Sequence, residues 1–237
     1  MYFHFRMTKT AAPQIDFLVD SSFEDILTNP ILDIAARVWA EDRYEAFRVC
    51  YRSMRLIDDL VDDRQATGKP VTEAELAGYR QRLDNWLEGM RRKEPDDGFT
   101  AELLRITDSF LIPLWPWERL CRAMLYELSR EEFPSFLSFL RYTEGAAIAP
   151  AAIFMHLCGL RQIRGKTEPP VYDIRQAARP LAVFSYLVHI MRDFQKDMAA
   201  GLNYFPRQLL DRFNLTVPEL REMAAGEKPD RRLRGLF

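Results

Sequence analysis

Closely spaced aspartates in the first half of the chain are the side chains best suited to chemistry. Asp58 and Asp62 are four residues apart, and so are Asp59 and Asp63. On a helix, this spacing places the two pairs on adjoining strips of one surface. Each like-charged pair costs roughly 0.2–0.5 kcal/mol, and anions in the last turns of a helix oppose its dipole by about 0.3–1 kcal/mol more. Without a bound cation, the cluster therefore lowers the stability of the helix.

A second acidic pair follows much later in the chain. Asp193 and Asp197 are again four residues apart, in the predicted final turns of a helix, and Arg192 adjoins them as Arg55 adjoins the first cluster. If the two helices face each other, at least four carboxylates meet, which requires hard cations such as Mg²⁺ between them. Such cations keep open positions for phosphate oxygens, and forked arginine donors suit the same anion. The pattern indicates a diphosphate ligand; the alternative is two solvated acidic helix ends with local arginine pairing.

The composition indicates that helices carry these residues. Of the 237 residues, 48% are hydrophobic and 12% aromatic, which excludes an intrinsically disordered chain. Only 10 glycines, with abundant Leu, Ala, Arg and Glu, are typical of an all-α protein. We expect one domain over residues 1–237, because no linker is long enough to divide it. A formal charge of −2 excludes a general attraction to nucleic acid.

Several features bear on the compartment of the protein. The first seven residues are too short and too aromatic for a signal peptide, and no charge-free stretch reaches the ~18 residues of a membrane span. A cytoplasmic protein is therefore expected, in which Cys50, Cys121 and Cys158 are reduced core residues and His156 is a core histidine. The segment Leu114–Trp117 is either an aromatic patch that touches a membrane or a buried anchor.

Local signals predict the helix boundaries. Asn29-Pro30 opens the first helix, and the capping box Thr72–Glu75 opens another. The small residues from Gly145 to Ala152 would let two helices, or a helix and a ligand, approach closely. The predicted helices cover about 30–39, 41–63, 73–92, a stretch from 100 broken before 117, 117–130, 134–142 and 174–200, with a short last one from 216.

Two sequence patterns carry a resemblance to a known family. They are Tyr51-x3-Arg55-x2-Asp58-Asp59-x2-Asp62 and, far downstream, Arg192-Asp193-x3-Asp197-x3-Gly201-x2-Tyr204-x-Pro206. Together they resemble the two aspartate-rich signatures of the squalene/phytoene synthase family, over about residues 30–206. Members of that family are all-α isoprenoid synthases that join two prenyl diphosphates head to head. The resemblance implies a single-domain helical bundle of the isoprenoid synthase type, with a central apolar cavity.

The resemblance also implies roles for individual residues. The implied metal ligands, for Mg²⁺ or Mn²⁺, are Asp58, Asp59, Asp62, Asp193, Asp197 and His189, the last in place of an asparagine of the family. The implied catalytic residues are Arg55, Arg192 and Tyr142. The implied substrate-binding residues are Tyr51, Arg55, Arg192, Tyr186 and Tyr204. Glu127 stands where the family often has aspartate, and the aromatic candidates for the cavity wall are Phe47, Phe139, Phe154, Phe184 and Tyr186.

The resemblance leaves the product and the activity open. The first product of the family is a cyclopropylcarbinyl diphosphate, which is released, rearranged to a phytoene-like triene or reduced by NADPH to squalene. Lys196 and Leu202 depart from the family pattern, as His189 does. The family also carries further helices after the second motif, so a chain ending at Phe237 is expected to lack them. The alternatives are a terpene cyclase or head-to-tail prenyltransferase, and a non-catalytic scaffold. The sequence does not indicate the oligomeric state. Peripheral contact with a membrane would serve the release of a lipid product.

Overall fold

The computed structural model describes residues 23, 27, 31–129, 132–226 and 231–237. The predicted opening of the first helix at Asn29-Pro30 lies outside these residues. The α-helices run over Ile31–Ala36 (α1), Glu41–Ala66 (α2), Glu73–Arg92 (α3), Gly98–Ser109 (α4), Trp115–Ser129 (α5), Phe136–Thr143 (α6), Ala149–Gly159 (α7), Ile174–Arg192 (α8), Phe194–Ala199 (α9), Arg207–Arg212 (α10), Val217–Ala225 (α11) and Arg231–Leu236 (α12). The predicted all-α class is confirmed, and one buried apolar cluster draws residues from α1 through α12.

Helix α2 carries the first acidic cluster and is longer than predicted. It continues to Ala66, and Thr67 then bonds back to the carbonyl groups of Arg64 and Gln65. Gly68 follows with a φ of +64°, a left-handed conformation that glycine adopts without steric cost. The aspartates of this cluster therefore lie one to two turns before the end of the helix, where the opposing helix dipole is weaker than in the final turn.

Helices α4 and α5 pack against α2, and α3 packs against α5. The capping box of Thr72 and Glu75 forms as predicted at the start of α3. Pro116 lies in the first turn of α5, where its missing N–H costs no helical hydrogen bond. Trp117, in the same turn, is fully buried and donates its indole N–H to Ser53 Oγ of α2 at 2.8 Å. The segment around Trp117 is therefore a buried anchor between α2 and α5.

The small-residue segment brings α5 close to the next helix pair. A π-helical turn, Glu144–Ile148, joins α6 to α7 and contains Gly145. A Cβ atom added to Gly145 would lie 2.2 Å from the carbonyl oxygen of Arg119 and 2.6 Å from the Cβ of Ala123, both in α5. Only glycine allows this contact, so the predicted close approach of two helices occurs here.

The predicted single helix over 174–200 is wrong. Helix α8 ends at Arg192, Asp193 adopts φ −93° and ψ 7°, and the short helix α9 begins at Phe194. Hydrogen bonds still run from Asp193 N to His189 O and from Asp197 N to Asp193 O, so the chain bends without losing its turn-to-turn bonding. Asp193 and Asp197 consequently occupy the start of α9 rather than the final turns of a long helix.

Three further observations concern residues outside the site. The strands Arg161–Ile163 (β1) and Lys166–Glu168 (β2) form an antiparallel hairpin that the sequence reading missed. Cys50 and Cys121 are buried, but Cys158 is exposed, so its predicted place in the core is wrong. No helix within the described ranges has an apolar stretch long enough to cross a bilayer.

Candidate functional site

The first acidic cluster lies on one face of α2 around Arg55. The guanidinium group of Arg55 pairs with Asp58 at 2.5 Å and also with Asp59. Carboxylate oxygens of Asp58, Asp59 and Asp62 lie within 4.8 Å of one another, and among the described residues this is the one acidic or metal-ligating group that is so compact. A single arginine therefore faces three carboxylates, which leaves negative charge uncompensated.

The protonation of these carboxyl groups reflects that imbalance. Burial raises the pKa of Asp58 to about 7; the Arg55 cation opposes this shift, and the carboxylates of Asp62 and Glu127 add to it. Desolvation, followed by the charge of Glu127, raises the pKa of Asp62 to about 6. Desolvation likewise raises the pKa of Asp59, against the influence of Arg55. The three groups resist ionising together, so an added cation would stabilise them.

An elongated apolar cavity begins at this cluster, and we call it the front cavity. Arg55 and Asp58 form its polar end, and Phe47 and Phe154 line its apolar part, as predicted for these two aromatics. Phe47 precedes Asp58 by eleven residues of α2, which corresponds to about 16 Å along the helix axis. Tyr51, a predicted substrate-binding residue, lies on the wall between the two ends. The volume is about 170 Å³, less than the roughly 300–1,000 Å³ of typical ligand pockets.

A buried carboxylate connects three of the predicted site tyrosines. Glu127 of α5 is 4% exposed. Its carboxylate accepts hydrogen bonds from the hydroxyl groups of Tyr204, at 2.9 Å, and of Tyr142. The hydroxyl group of Tyr186 donates to the oxygen of Tyr142 at 3.2 Å. Burial raises the pKa of Tyr142 well above its ordinary value, so this phenol stays protonated.

The arginine of the second acidic cluster is more exposed than that of the first, at 58% for Arg192 against 22% for Arg55. The guanidinium group of Arg192 donates to both carboxylate oxygens of Asp193, at 2.8 and 2.6 Å, and this pairing lowers the pKa of Asp193. Desolvation raises the pKa of Asp197, and the charges of Asp193 and Glu127 add to the shift. Desolvation, with Arg192 nearby, lowers the pKa of His189, which therefore favours the neutral form that can bind a metal.

Glu127 interacts electrostatically with both acidic clusters. Its negative charge raises the pKa of Asp58 and Asp62 on α2 and also that of Asp197 on α9. Asp193, Asp197 and His189 nevertheless lie outside the compact group formed by the aspartates of α2. The two acidic clusters thus share one electrostatic environment without forming a single compact set of ligands.

The structure also changes the list of candidate residues. Phe184 is 65% exposed on α8, so its predicted place in the cavity wall is wrong. Phe139 is buried but stacks on Tyr186, away from the front cavity. The family pattern points to Glu127 by its position alone. A lone acidic residue between Leu125-Tyr126 and Leu128 was the available signal, because a carboxylate in an apolar helical stretch requires partners.

The donor atoms suit a hard divalent cation. Carboxylate oxygens that cluster on one helix face, with raised pKa values, are the ligands that Mg²⁺ and Mn²⁺ prefer. Asp58, Asp59 and Asp62 fit such an ion by chemistry and by mutual spacing. Asp193, Asp197 and His189 offer further oxygen and nitrogen donors on the neighbouring cluster.

Comparison with known proteins gives consistent matches. The family model described as squalene/phytoene synthase matches residues 34–237. The 15-cis-phytoene synthase of Synechocystis sp. is 27% identical over 177 residues, which cover 72% of this chain and 50% of that enzyme. The chain thus spans about half the length of this curated relative.

Two solved structures share the fold. A dehydrosqualene synthase in complex with ligand has a TM-score of 0.70 at 18% identity, covering 90% of this chain and 69% of that one. The squalene synthase HpnC from Alicyclobacillus acidocaldarius has a TM-score of 0.67 at 17% identity, covering 91% of this chain and 80% of that one.

Proposed function

The chain belongs to the squalene/phytoene synthase family, and we propose that it joins two prenyl diphosphates head to head into a squalene- or phytoene-like product. One observation carries the proposal: Arg55 and the acidic cluster lie at one end of an elongated apolar cavity. A prenyl diphosphate is an anion attached to a hydrocarbon chain. The polar end of the front cavity suits the anion, and its apolar part suits the hydrocarbon chain.

We propose that Asp58, Asp59 and Asp62 hold Mg²⁺, and that Asp193, Asp197 and His189 contribute to a second position. Bound there, Mg²⁺ would supply the positive charge that makes diphosphate a better leaving group. Arg55 would donate forked hydrogen bonds to the same diphosphate from the side of α2, and Arg192 from the end of α8. Both arginines now pair with aspartates, so metal binding and substrate binding would redistribute these contacts.

The proposed chemical step passes through a positive charge that the cavity wall would stabilise. When the C1–O bond of the first substrate breaks, diphosphate departs and an allylic cation remains. The C2=C3 bond of the second substrate attacks that cation, and loss of a proton to the released diphosphate closes the cyclopropane ring. The ring faces of Phe47 and Phe154 would stabilise the positive charge, and the apolar wall would keep water away from it. Glu127 would orient the hydroxyl groups of Tyr142 and Tyr204.

The size of the front cavity sets a condition on this proposal. The volume of about 170 Å³ is below the roughly 300–1,000 Å³ of typical ligand pockets. It is therefore too small for two prenyl chains. Substrate binding would therefore have to separate the helices around the cavity. We expect the rates of amide hydrogen exchange in α2 and α7 to change when substrate binds, because both helices line the cavity.

Radiolabelled farnesyl and geranylgeranyl diphosphate with Mg²⁺, each with and without NADPH, test the proposal directly. A cyclopropyl diphosphate or a head-to-head hydrocarbon supports it, and the NADPH arm shows whether the product is reduced. A cyclic product from one substrate would instead indicate a terpene cyclase, a head-to-tail product the corresponding prenyltransferase, and no product a non-catalytic scaffold. Asp58→Asn is expected to abolish turnover, whereas Asp63→Asn, the same change on the same helix outside the compact group, is the matched control.

A further inference from the structure

Glu144 is a buried carboxylate that lies just outside the candidate site. Three carboxylates are buried among the described residues, and the other two are Asp33 and Glu127. Only 11% of the Glu144 side chain is exposed. It accepts a hydrogen bond from Arg175 Nε at 2.7 Å and another from the guanidinium group of Arg179, both in the first two turns of α8. Two charge-assisted contacts therefore join Glu144 to α8.

The π-helical turn that begins at Glu144 packs between α5 and α8. On the α5 side, Gly145 lies directly against the carbonyl oxygen of Arg119. On the α8 side, Ile148 shares a buried apolar cluster with Ala182. The turn is thus attached to α5 by the glycine contact, and to α8 by the ion pairs and by apolar packing.

The shape of this turn sets the direction in which Tyr142 points. A π-helical turn closes its hydrogen bonds over five residues instead of four, so it accommodates one residue more than an α-helical turn. Each residue of an α-helix rotates the side-chain direction by about 100°. Without the extra residue, α6 and α7 would be rotated by that angle relative to each other. Tyr142 is the second-last residue of α6, so its hydrogen bond to Glu127 depends on the turn.

One face of α8 carries both the arginines and the tyrosine that meets Tyr142. Arg175 and Arg179 are four residues apart, and Tyr186 follows Arg179 by seven, a spacing that keeps all three on the same face. The hydroxyl group of Tyr186 donates to the oxygen of Tyr142 at 3.2 Å. This face of α8 therefore contacts Tyr142 and Glu144, which are only two residues apart in the chain.

We propose that Glu144 is a positioning residue. Through Arg175 and Arg179 it holds the π-helical turn against α8, and the turn keeps the hydroxyl group of Tyr142 on Glu127. Glu144 itself does not line the front cavity. The placement of Tyr142 follows from these contacts alone, whereas its importance for turnover rests on the proposed function.

NMR of the full chain labelled with ¹³C at the Cζ atom of tyrosine tests this placement, because that carbon responds to hydrogen bonding of the phenol. Tyr142→Phe assigns the resonance. The test variants are Glu144→Gln, which removes the charge and keeps an acceptor, and Arg179→Gln, which leaves Glu144 its other arginine. The matched control is Asp33→Asn, which removes the charge of another buried, arginine-paired carboxylate, on α1.

We expect the Tyr142 resonance to shift in folded Glu144→Gln at neutral pH, to shift less in Arg179→Gln, and to stay at the parent position in Asp33→Asn. An unchanged resonance in folded Glu144→Gln would overturn the proposal, however much stability the substitution costs. An equal shift in the control would overturn it too. If Glu144→Gln does not fold, the resonance of Arg179→Gln decides in the same way.

Turnover of labelled prenyl diphosphates reports separately on the consequence for catalysis. In Glu144→Gln, kcat should fall by about ten- to a hundredfold, as small displacements of catalytic groups do. KM should change little, because the groups proposed to bind diphosphate are not altered. A parent protein without turnover would contradict the proposed function, and the NMR result would still decide whether Glu144 positions Tyr142.

Discussion

Replacing Asp58 with asparagine is expected to stabilise the metal-free protein while removing its response to Mg²⁺. A rise in the pKa of this carboxyl group from 3.8 to about 7 corresponds to roughly 4 kcal/mol at about 1.4 kcal/mol per pH unit. Because a third of the side chain is exposed, solvent screening reduces this to about 1–2 kcal/mol at neutral pH. Arg55 keeps its second partner, Asp59, after the substitution.

The sign of the pH dependence follows from the direction of the shift. Between about pH 4 and pH 7, the folded protein holds the Asp58 proton more tightly than the unfolded chain does, so this group favours folding at low pH. That contribution is lost as the pH rises through the folded pKa. In EDTA, the free energy of unfolding should fall from pH 5 to pH 7.5, and Asp58→Asn should flatten the slope.

Urea unfolding at several pH values, in EDTA and in Mg²⁺, measures both effects. Mg²⁺ at a hundred times its dissociation constant should stabilise the parent by about 2.7 kcal/mol and the Asp58→Asn variant by much less. The control Asp63→Asn should keep the slope and the Mg²⁺ response of the parent. An Asp58→Asn variant that is less stable than the parent in EDTA, with an unchanged slope, would refute the idea that the cluster is strained without a cation.

Three further substitutions test the surrounding structure. Gly145→Val should lower stability by roughly 1–3 kcal/mol, because its Cβ would lie 2.2 Å from the Arg119 carbonyl oxygen; an unchanged melting temperature would contradict the close helix contact. Glu127→Gln should cost about 1–3 kcal/mol, since one phenol, either the buried Tyr142 or the half-buried Tyr204, loses its acceptor; urea unfolding measures the change in stability. Tyr186→Phe removes one hydrogen bond and should cost only about 0.5–1.5 kcal/mol in the same assay.

Helix boundaries set by local chemistry could be read from the sequence. The capping box of Thr72 and the left-handed Gly68 act through neighbouring residues alone, so their positions were predictable. The hairpin was missed because its turn places Arg164 at a φ of +52° beside Gly165, and only the glycine is a recognised signal for that turn. Phe184 was misplaced because an apolar residue at helical spacing does not reveal which face of the helix is covered.

The bend at Asp193 and the hydrogen-bond network of Glu127 depend on tertiary contacts. The spacing of residues in the sequence does not reveal such contacts. No glycine or proline marks the bend, and hydrogen bonds continue through it. The aspartates were predicted as a pair four residues apart, and they keep that spacing. What changes is their surroundings: Asp193 pairs with Arg192, whereas Asp197 responds to the buried Glu127.

The hydrogen-bonding side chains of the candidate site fall into acceptors and donors. Tyr142 and Tyr204 each donate their single hydroxyl proton to Glu127. Toward a ligand that reaches them, their oxygens can therefore only accept, which suits a positive centre and does not suit a diphosphate. The forked donors of Arg55 and Arg192 have the opposite character. In the proposed reaction, the two tyrosines would serve the cation and the two arginines the leaving group, whereas the sequence resemblance assigns Tyr142 to catalysis, Tyr204 to substrate binding and the arginines to both.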